Sequence, residues 1–422
     1  MYLLTRKLYC KHNLLTVMIF FISVVTYSQN VTSPYSIIGI GDIETSYFNR
    51  TSGMANTGIA YRNNTSVILN NPASLSNLQN QLFIVELSGR GRIVNYSGTG
   101  VAPGTTGKDF SVERFSLGIR AAKFWGIAVG LMPFSTSNYS FNGTTSLRGT
   151  NTTLPVTYNG NGGINRFYFV NGFRITKNLS IGVNTSFLSG SLTRSDSIFT
   201  ADQNTGVFTT KNIYLRNLYF DYGLQYHIPV SKKWDVSLGA TYSNQTDLRA
   251  QTTALVKDER GDTLSNQTLS NNFFTLPSSA GAGIAITKNK NLSFLADYRY
   301  QNWSSLNMSG ADYRLVNSHR YSAGVEYSKL KQYLGVPYEV YNLQAGAYYN
   351  QSYLDIGNEQ ITDMGFTIGA GLNSKRSTLS YHLSAEIGVR GSRFTPVKET
   401  YAGFTITFSY KDFWYTKGKK FD

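Results

Sequence analysis

From Gln81 onward the chain alternates between apolar and polar side chains in one run after another. A period of two marks a β-strand whose two faces meet different surroundings. The clearest run is Leu379–Arg390: Leu379, Tyr381, Leu383, Ala385, Ile387 and Val389 share one face, and Ser380, His382, Ser384, Glu386, Gly388 and Arg390 the other. Ala402, Phe404, Ile406, Phe408 and Tyr410 oppose Tyr401, Gly403, Thr405, Thr407 and Ser409 in the same way. Leu292, Phe294, Ala296, Tyr298 and Tyr300 oppose Ser293, Asp297, Arg299 and Gln301, and Tyr214 to Tyr226 opposes Asn217 to His227. Weaker runs lie near 81–97, 111–121, 124–141, 155–175, 178–190, 233–249, 268–286, 318–328, 339–350 and 362–373. The total is about 14 strands, an even number in the range of outer-membrane barrels.

The connections sort themselves. Short links at 121–123, 176–178, 229–233, 287–291 and 373–377, with 328–338 a longer member, alternate with long polar stretches at 97–110, 142–153, 190–210, 250–265, 302–317, 353–361 and 391–399. A membrane barrel collects every second connection on each side, short turns in the periplasm and long loops outside. A soluble sandwich has no reason to sort its loops this way. The pattern predicts an all-β transmembrane antiparallel barrel over 81–411 in the outer membrane, with both termini periplasmic.

Composition agrees. Charged residues are 15% and aromatics 14%, with 30 Tyr, 25 Phe and 39 Gly, against about 25% charged in soluble domains. The start of the chain has Arg6, Lys7 and Lys11, an apolar run at 14–25, and small or polar residues to Ser28. It predicts a signal peptide over 1–28. Removing it takes the formal charge from +15 to 15 − 3 = +12. The basic residues are scattered rather than gathered, which favours outer-membrane lipid as partner over nucleic acid. The single cysteine, Cys10, leaves with the signal, so thiol chemistry is excluded.

Residues 29–80 precede the strands as a lead and hatch. Within them, 50–78 is rich in small residues (Gly53, Ala55, Gly58, Ala60) and turns at Asn70-Asn71-Pro72, where proline is expected to stop any helix or strand. A basic aromatic tail, 412–422, is expected in the periplasm.

Catalytic and metal chemistry find little support. His227, His319 and His382 sit on separate strands without metal-ligand spacing, and Ser380 and Ser384 beside His382 read as lumen lining. The glycine pairs Gly39/Gly41, Gly281/Gly283 and Gly369/Gly371 lack a following helix, so they read as bulges or close packing rather than phosphate loops. No catalytic residue, metal or cofactor is expected. Arg166, Arg174, Asp221, Asp297, Arg299, Glu326, Glu386 and Arg390 fall on lumen faces and predict a network that anchors the hatch.

Gly53, Met54 and Gly58, followed by Asn71-Pro72-Ala73-Ser74-Leu75, resemble the hatch of FadL-type outer-membrane transporters, whose glycine-rich segment leads to N-P-A-G-L ahead of a 14-stranded barrel. Ser74 stands where that motif has glycine. A positive φ there would strain the turn. Gly388 to Ser392, Lys398 to Tyr401 and the tail from Lys411 are similar to FadL-like proteins of the Bacteroidota. The resemblance implies passive uptake of a hydrophobic ligand, such as a fatty acid, past the hatch. It equally implies the alternative found among such barrels, a non-transporting subunit partnered with other proteins of an outer-membrane secretion or assembly machine. Long loops rich in Thr and Asn show no apolar capture groove.

Overall fold

The computed structural model describes residues 33–146, 149, 152–199, 206–310, 312–333, 336–374 and 378–413. The expected signal segment and all of the tail beyond residue 413 lie outside the described residues.

The strands are β1 (Asp42–Ile43), β2 (Leu82–Gly98), β3 (Thr106–Ala122), β4 (Trp125–Thr136), β5 (Tyr139–Ser146), β6 (Thr153–Arg174), β7 (Leu179–Phe199), β8 (Gly206–Pro229), β9 (Trp234–Ser243), β10 (Thr246–Asp258), β11 (Thr263–Leu276), β12 (Ser279–Lys288), β13 (Leu292–Gln301), β14 (Tyr313–Leu315), β15 (Ser318–Tyr333), β16 (Val336–Ile356), β17 (Glu359–Asn373), β18 (Leu379–Arg390) and β19 (Val397–Phe413). All pairings are antiparallel, and β19 closes on β2 from Val397 opposite Gly98 to Phe413 opposite Leu82. The result is a closed barrel of 14 wall strands. Three of these bend and are each read as two: β4 and β5 both pair with β6, β9 and β10 both pair with β8, and β12 and β11 pair with β9 and β10. Closure removes the unpaired edges that a bilayer would not tolerate.

The alternation is resolved as expected. Leu383, Ile387, Phe366 and Ile368 stand 54–66% exposed on the outer surface, while Ser380, His382 and Thr407 are buried facing in. So large an apolar exterior belongs against lipid.

The long polar stretches differ from the expectation of loops. β6, β7 and β8 run on to 22, 21 and 24 residues, so that the hairpin between β7 and β8 covers most of 190–210. The β10–β11 hairpin likewise covers most of 250–265. Beyond the membrane both faces of a strand meet water, so the alternation fades although Thr-rich backbone still pairs. In the same way β15 and β16 take up most of the expected turn at 328–338.

The lumen holds residues 33–81. Three 3₁₀ helices punctuate this plug: Pro34–Ile37, Arg50–Met54 and Pro72–Asn77. Asn49 caps the second, its side chain accepting from Thr51 N at 2.8 Å, and Asn71 caps the third by accepting from Ala73 N at 3.0 Å. Pro72 therefore starts a helical turn rather than barring one, because a first-turn residue needs no N–H. Ser74 is unstrained: its backbone avoids positive φ, and its hydroxyl donates to Ile68 O at 2.7 Å.

An even strand count places Leu82 and Phe413 together at the short-turn end. The plug, however, threads the barrel. Ser33 bonds Asn138 O (2.8 Å) and Glu399 (2.6 Å) towards the end with the long connections. The first and last described residues thus lie at opposite ends of the barrel. Strand parity fixes the ends of a barrel and leaves the path of a lead segment open.

Candidate functional site

The site is the seam between plug and wall. Wall glycines face the plug on successive strands and stand in register across them. Gly126 pairs with Gly172, Gly172 with Gly182 and Gly182 with Gly223, across β4, β6, β7 and β8. Gly239 opposes Gly283, and Gly324 opposes Gly346. A Cβ on any of these would collide with the plug: with Leu75 at Gly126, Pro72 at Gly172, Gly182 and Gly223, Ile59 at Gly239 and Gly283, and Met54 at Gly324 and Gly346. Gly53 itself meets Gly369 of β17. Absence of side chains lets backbone rest on backbone, and this is why the glycines are there. Met54, Ile59, Leu75 and Leu78 are all below 2% exposed in this seam, each contributing about 1.5–3 kcal/mol by burial.

Polar side chains of the wall complete the seal by taking up plug backbone groups that would otherwise be unpaired. Asp297 accepts from Gly58 N (2.6 Å) and Ile59 N (2.9 Å). The Thr367 hydroxyl accepts from Ala55 N at 2.8 Å and donates to Gly53 O at 3.0 Å. Gln225 donates to Ile59 O (3.0 Å) and Tyr61 O (3.2 Å), and Arg174 to Ser76 O (2.9 Å). From the plug side, Asn71 donates to Ile59 O (2.9 Å) and to Leu224 O of the wall (3.0 Å).

Charges lock the plug at separate points. Arg50, buried, reaches Glu326 at 2.9 Å and Glu339 at 2.6 Å. Burial alone would lower the Arg50 pKa, but the two carboxylates hold it well above the usual arginine value. Tyr61 donates to the same Glu326 at 2.7 Å. Arg114, also buried, donates to Phe48 O (3.1 Å), Val67 O (3.0 Å) and Glu86 (2.8 Å). Higher up, Arg390 grips Asp42 with two bonds of 2.7 Å and lies 4.0 Å from Glu399, and Arg90 bridges Glu44 and Glu113 at 2.8 and 3.0 Å.

The eight lumen residues singled out in the sequence all lie on the inner face, but in several clusters rather than one network. Asp297, Glu326, Arg174 and Arg390 touch the plug as described. Arg299 donates to Tyr47 of the plug at 3.0 Å. Arg166 and Asp221 pair with each other at 3.4 Å, and Glu386 accepts from Tyr348 at 2.7 Å, both within the wall. Sequence reasoning missed Arg50, Asp42, Arg114, Glu86, Glu339, Thr367 and the glycine register. A bulge of β3 opposite Ser88 and Gly89 turns Glu113 and Arg114 both inward, which breaks the alternation that would have found them. His382 is buried, and no hydrogen bond joins it to Ser380 or Ser384 among the described residues.

Beside residues 33–47 of the plug and above its 69–72 segment, towards the long connections, lies a cavity of about 1020 Å³. Its lining includes six arginines (Arg90, Arg92, Arg166, Arg299, Arg320, Arg390) and seven carboxylates (Asp42, Glu44, Asp109, Glu113, Asp221, Asp363, Glu399). No residue of the short turns lines it. It is a charged vestibule that ends on the plug.

A closed 14-stranded barrel carrying such a plug has the architecture of the FadL-type outer-membrane channels. A Pseudomonas aeruginosa FadL homologue shares 14% identity at a TM-score of 0.60, over 92% of this chain and 100% of that one. The P. putida toluene transporter TodX shares 16% at 0.60, over 90% and 99%, and the monoaromatic hydrocarbon channel CymD 15% at 0.55, over 90% and 99%. These likenesses establish the fold. The chain belongs to the BamG family, which matches residues 10–422. No curated protein matches it.

Proposed function

We propose that this chain is a non-transporting barrel subunit, of the Bacteroidota type, in an outer-membrane protein secretion or assembly complex. One observation carries the reading: the plug backbone lies directly on a register of wall glycines, beneath a vestibule lined by 13 charged side chains. Passage of a hydrophobic molecule needs an apolar route past the hatch, because each buried charge it would have to neighbour prefers water or a counter-ion. Membership of the BamG family, whose match hints at an assembly complex, points the same way, and the motifs at Gly388 to Ser392 and Lys398 to Tyr401 support the Bacteroidota assignment.

The second reading is passive uptake of a hydrophobic small molecule, a fatty acid among the candidates. Its support is the fold shared with the hydrocarbon channels. Uptake of toluene and of oleate into vesicles containing the purified barrel separates the two. The subunit reading expects rates equal to empty vesicles, and a saturable, barrel-dependent rate would replace it with the channel.

A further inference from the structure

The +12 charge expected for the mature chain is unevenly placed. Each of the four described short turns carries exposed lysine (Lys123, Lys177, Lys232 and Lys290, one from each), and Lys329 is exposed near the end of β15. No carboxylate occurs at 121–124, 175–178, 229–233, 288–291 or 328–333. The acids nearest these turns are few: Glu339 turns inward to Arg50, Asp235 lies 3.5 Å from His227, and Asp412, exposed near the end of β19, accepts from Tyr410 at 2.9 Å. The opposite end mixes signs, as in Asp258-Glu259-Arg260 of the β10–β11 turn.

Large apolar side chains sit beside these lysines. Ile175 and Val230 are 56% and 61% exposed, and Lys288 lies 5.2 Å from the Trp234 ring centroid on the neighbouring strand. Amphipathic aromatics and long cationic stems together mark the boundary between hydrocarbon and headgroup. Lysine in turn after turn around the mouth fits an occupant that surrounds the barrel. A docked protein would cover one sector, whereas lipid encircles the whole wall.

We infer that this collar binds the phosphate groups of anionic phospholipids in the leaflet at the short-turn end. The ammonium groups meet the headgroups while Trp234, Ile175 and Val230 enter the apolar layer beneath. The collar thereby selects anionic over zwitterionic lipid and holds the barrel at a set depth.

The test uses the full barrel in phosphatidylcholine vesicles with and without phosphatidylglycerol, followed by gentle extraction and native mass spectrometry of retained lipid. Phosphatidylglycerol should be retained preferentially and should raise the thermal midpoint, both effects fading at high salt. The triple variant Lys232→Gln, Lys233→Gln, Lys290→Gln should lose retention by roughly fivefold per lysine, while Lys108→Gln at the opposite end should keep it. Equal retention of both lipids, or retention unchanged in the triple variant, overturns the inference. If extraction from native membranes instead yields an acidic protein that only the triple variant loses, with lipid retention unchanged, the collar is a protein site and the lipid inference falls.

Discussion

Arg50 and Glu326 lie 276 positions apart in the chain and 2.9 Å apart in the barrel, both buried. Glu339 completes the triad at 2.6 Å. Removing the cation leaves two carboxylates facing each other in the largely buried seam, a loss of about 3–5 kcal/mol. Arg50→Met should therefore lower the urea midpoint of the detergent-solubilised barrel well below wild type. Limited proteolysis should begin to cut within residues 33–81. Arg50→Lys should recover only part of the loss, since an ammonium cannot reproduce the forked bonds to two acids.

Gly182 is opposed by Gly172 on one side and Gly223 on the other, all three under Pro72. Gly182→Val should push the plug from the wall and give the purified barrel an ion conductance in planar bilayers that wild type lacks. Gly206→Ala, whose added carbon would meet its nearest neighbour at an ordinary 3.4 Å, should leave both conductance and thermal midpoint unchanged.

Asp297 accepts two plug N–H groups, from Gly58 at 2.6 Å and Ile59 at 2.9 Å. Asp297→Ala should cost about 2–4 kcal/mol, from two charge-assisted bonds lost together. Hydrogen exchange should localise the effect, with Gly58 and Ile59 amides losing protection while the strands of the wall keep theirs. Uniform loss across the barrel would contradict the assignment of this residue to the plug seam.

Much of the wall was legible because a membrane barrel imposes one rule on every strand. Leu383 must face lipid and Ser384 the lumen, so the alternation is long and clean. The seam was not legible for a different reason. Gly126, Gly172, Gly182 and Gly223 each look like ordinary lumen-facing glycines, and only the register between strands, set by turn lengths and bulges, brings them into one row. Arg50 and Arg114 escaped for related reasons: the first lies in a segment with no periodicity, the second beside a bulge. Polar continuations such as β10 and β11 read as loops because water on both faces erases the pattern that marks a strand.

The separation of Arg166 and Asp221 from the plug carries its own expectation. Their 3.4 Å pair lines the vestibule, so Arg166→Gln should alter the vestibule and leave the plug in place. Because the pair is long and opens on the vestibule, the fall in thermal midpoint should be smaller than for Arg50→Met, with proteolysis of 33–81 unchanged. New cleavage there would mean that the vestibule and the seam form one mechanical unit.

The most direct measurement of the central claim is gentle detergent extraction from native outer membranes, with mass spectrometry of proteins and small molecules together. The sealed-subunit account predicts large protein partners in stoichiometric amount and no hydrophobic ligand in the barrel. A solitary barrel carrying a fatty acid or an aromatic hydrocarbon would contradict it.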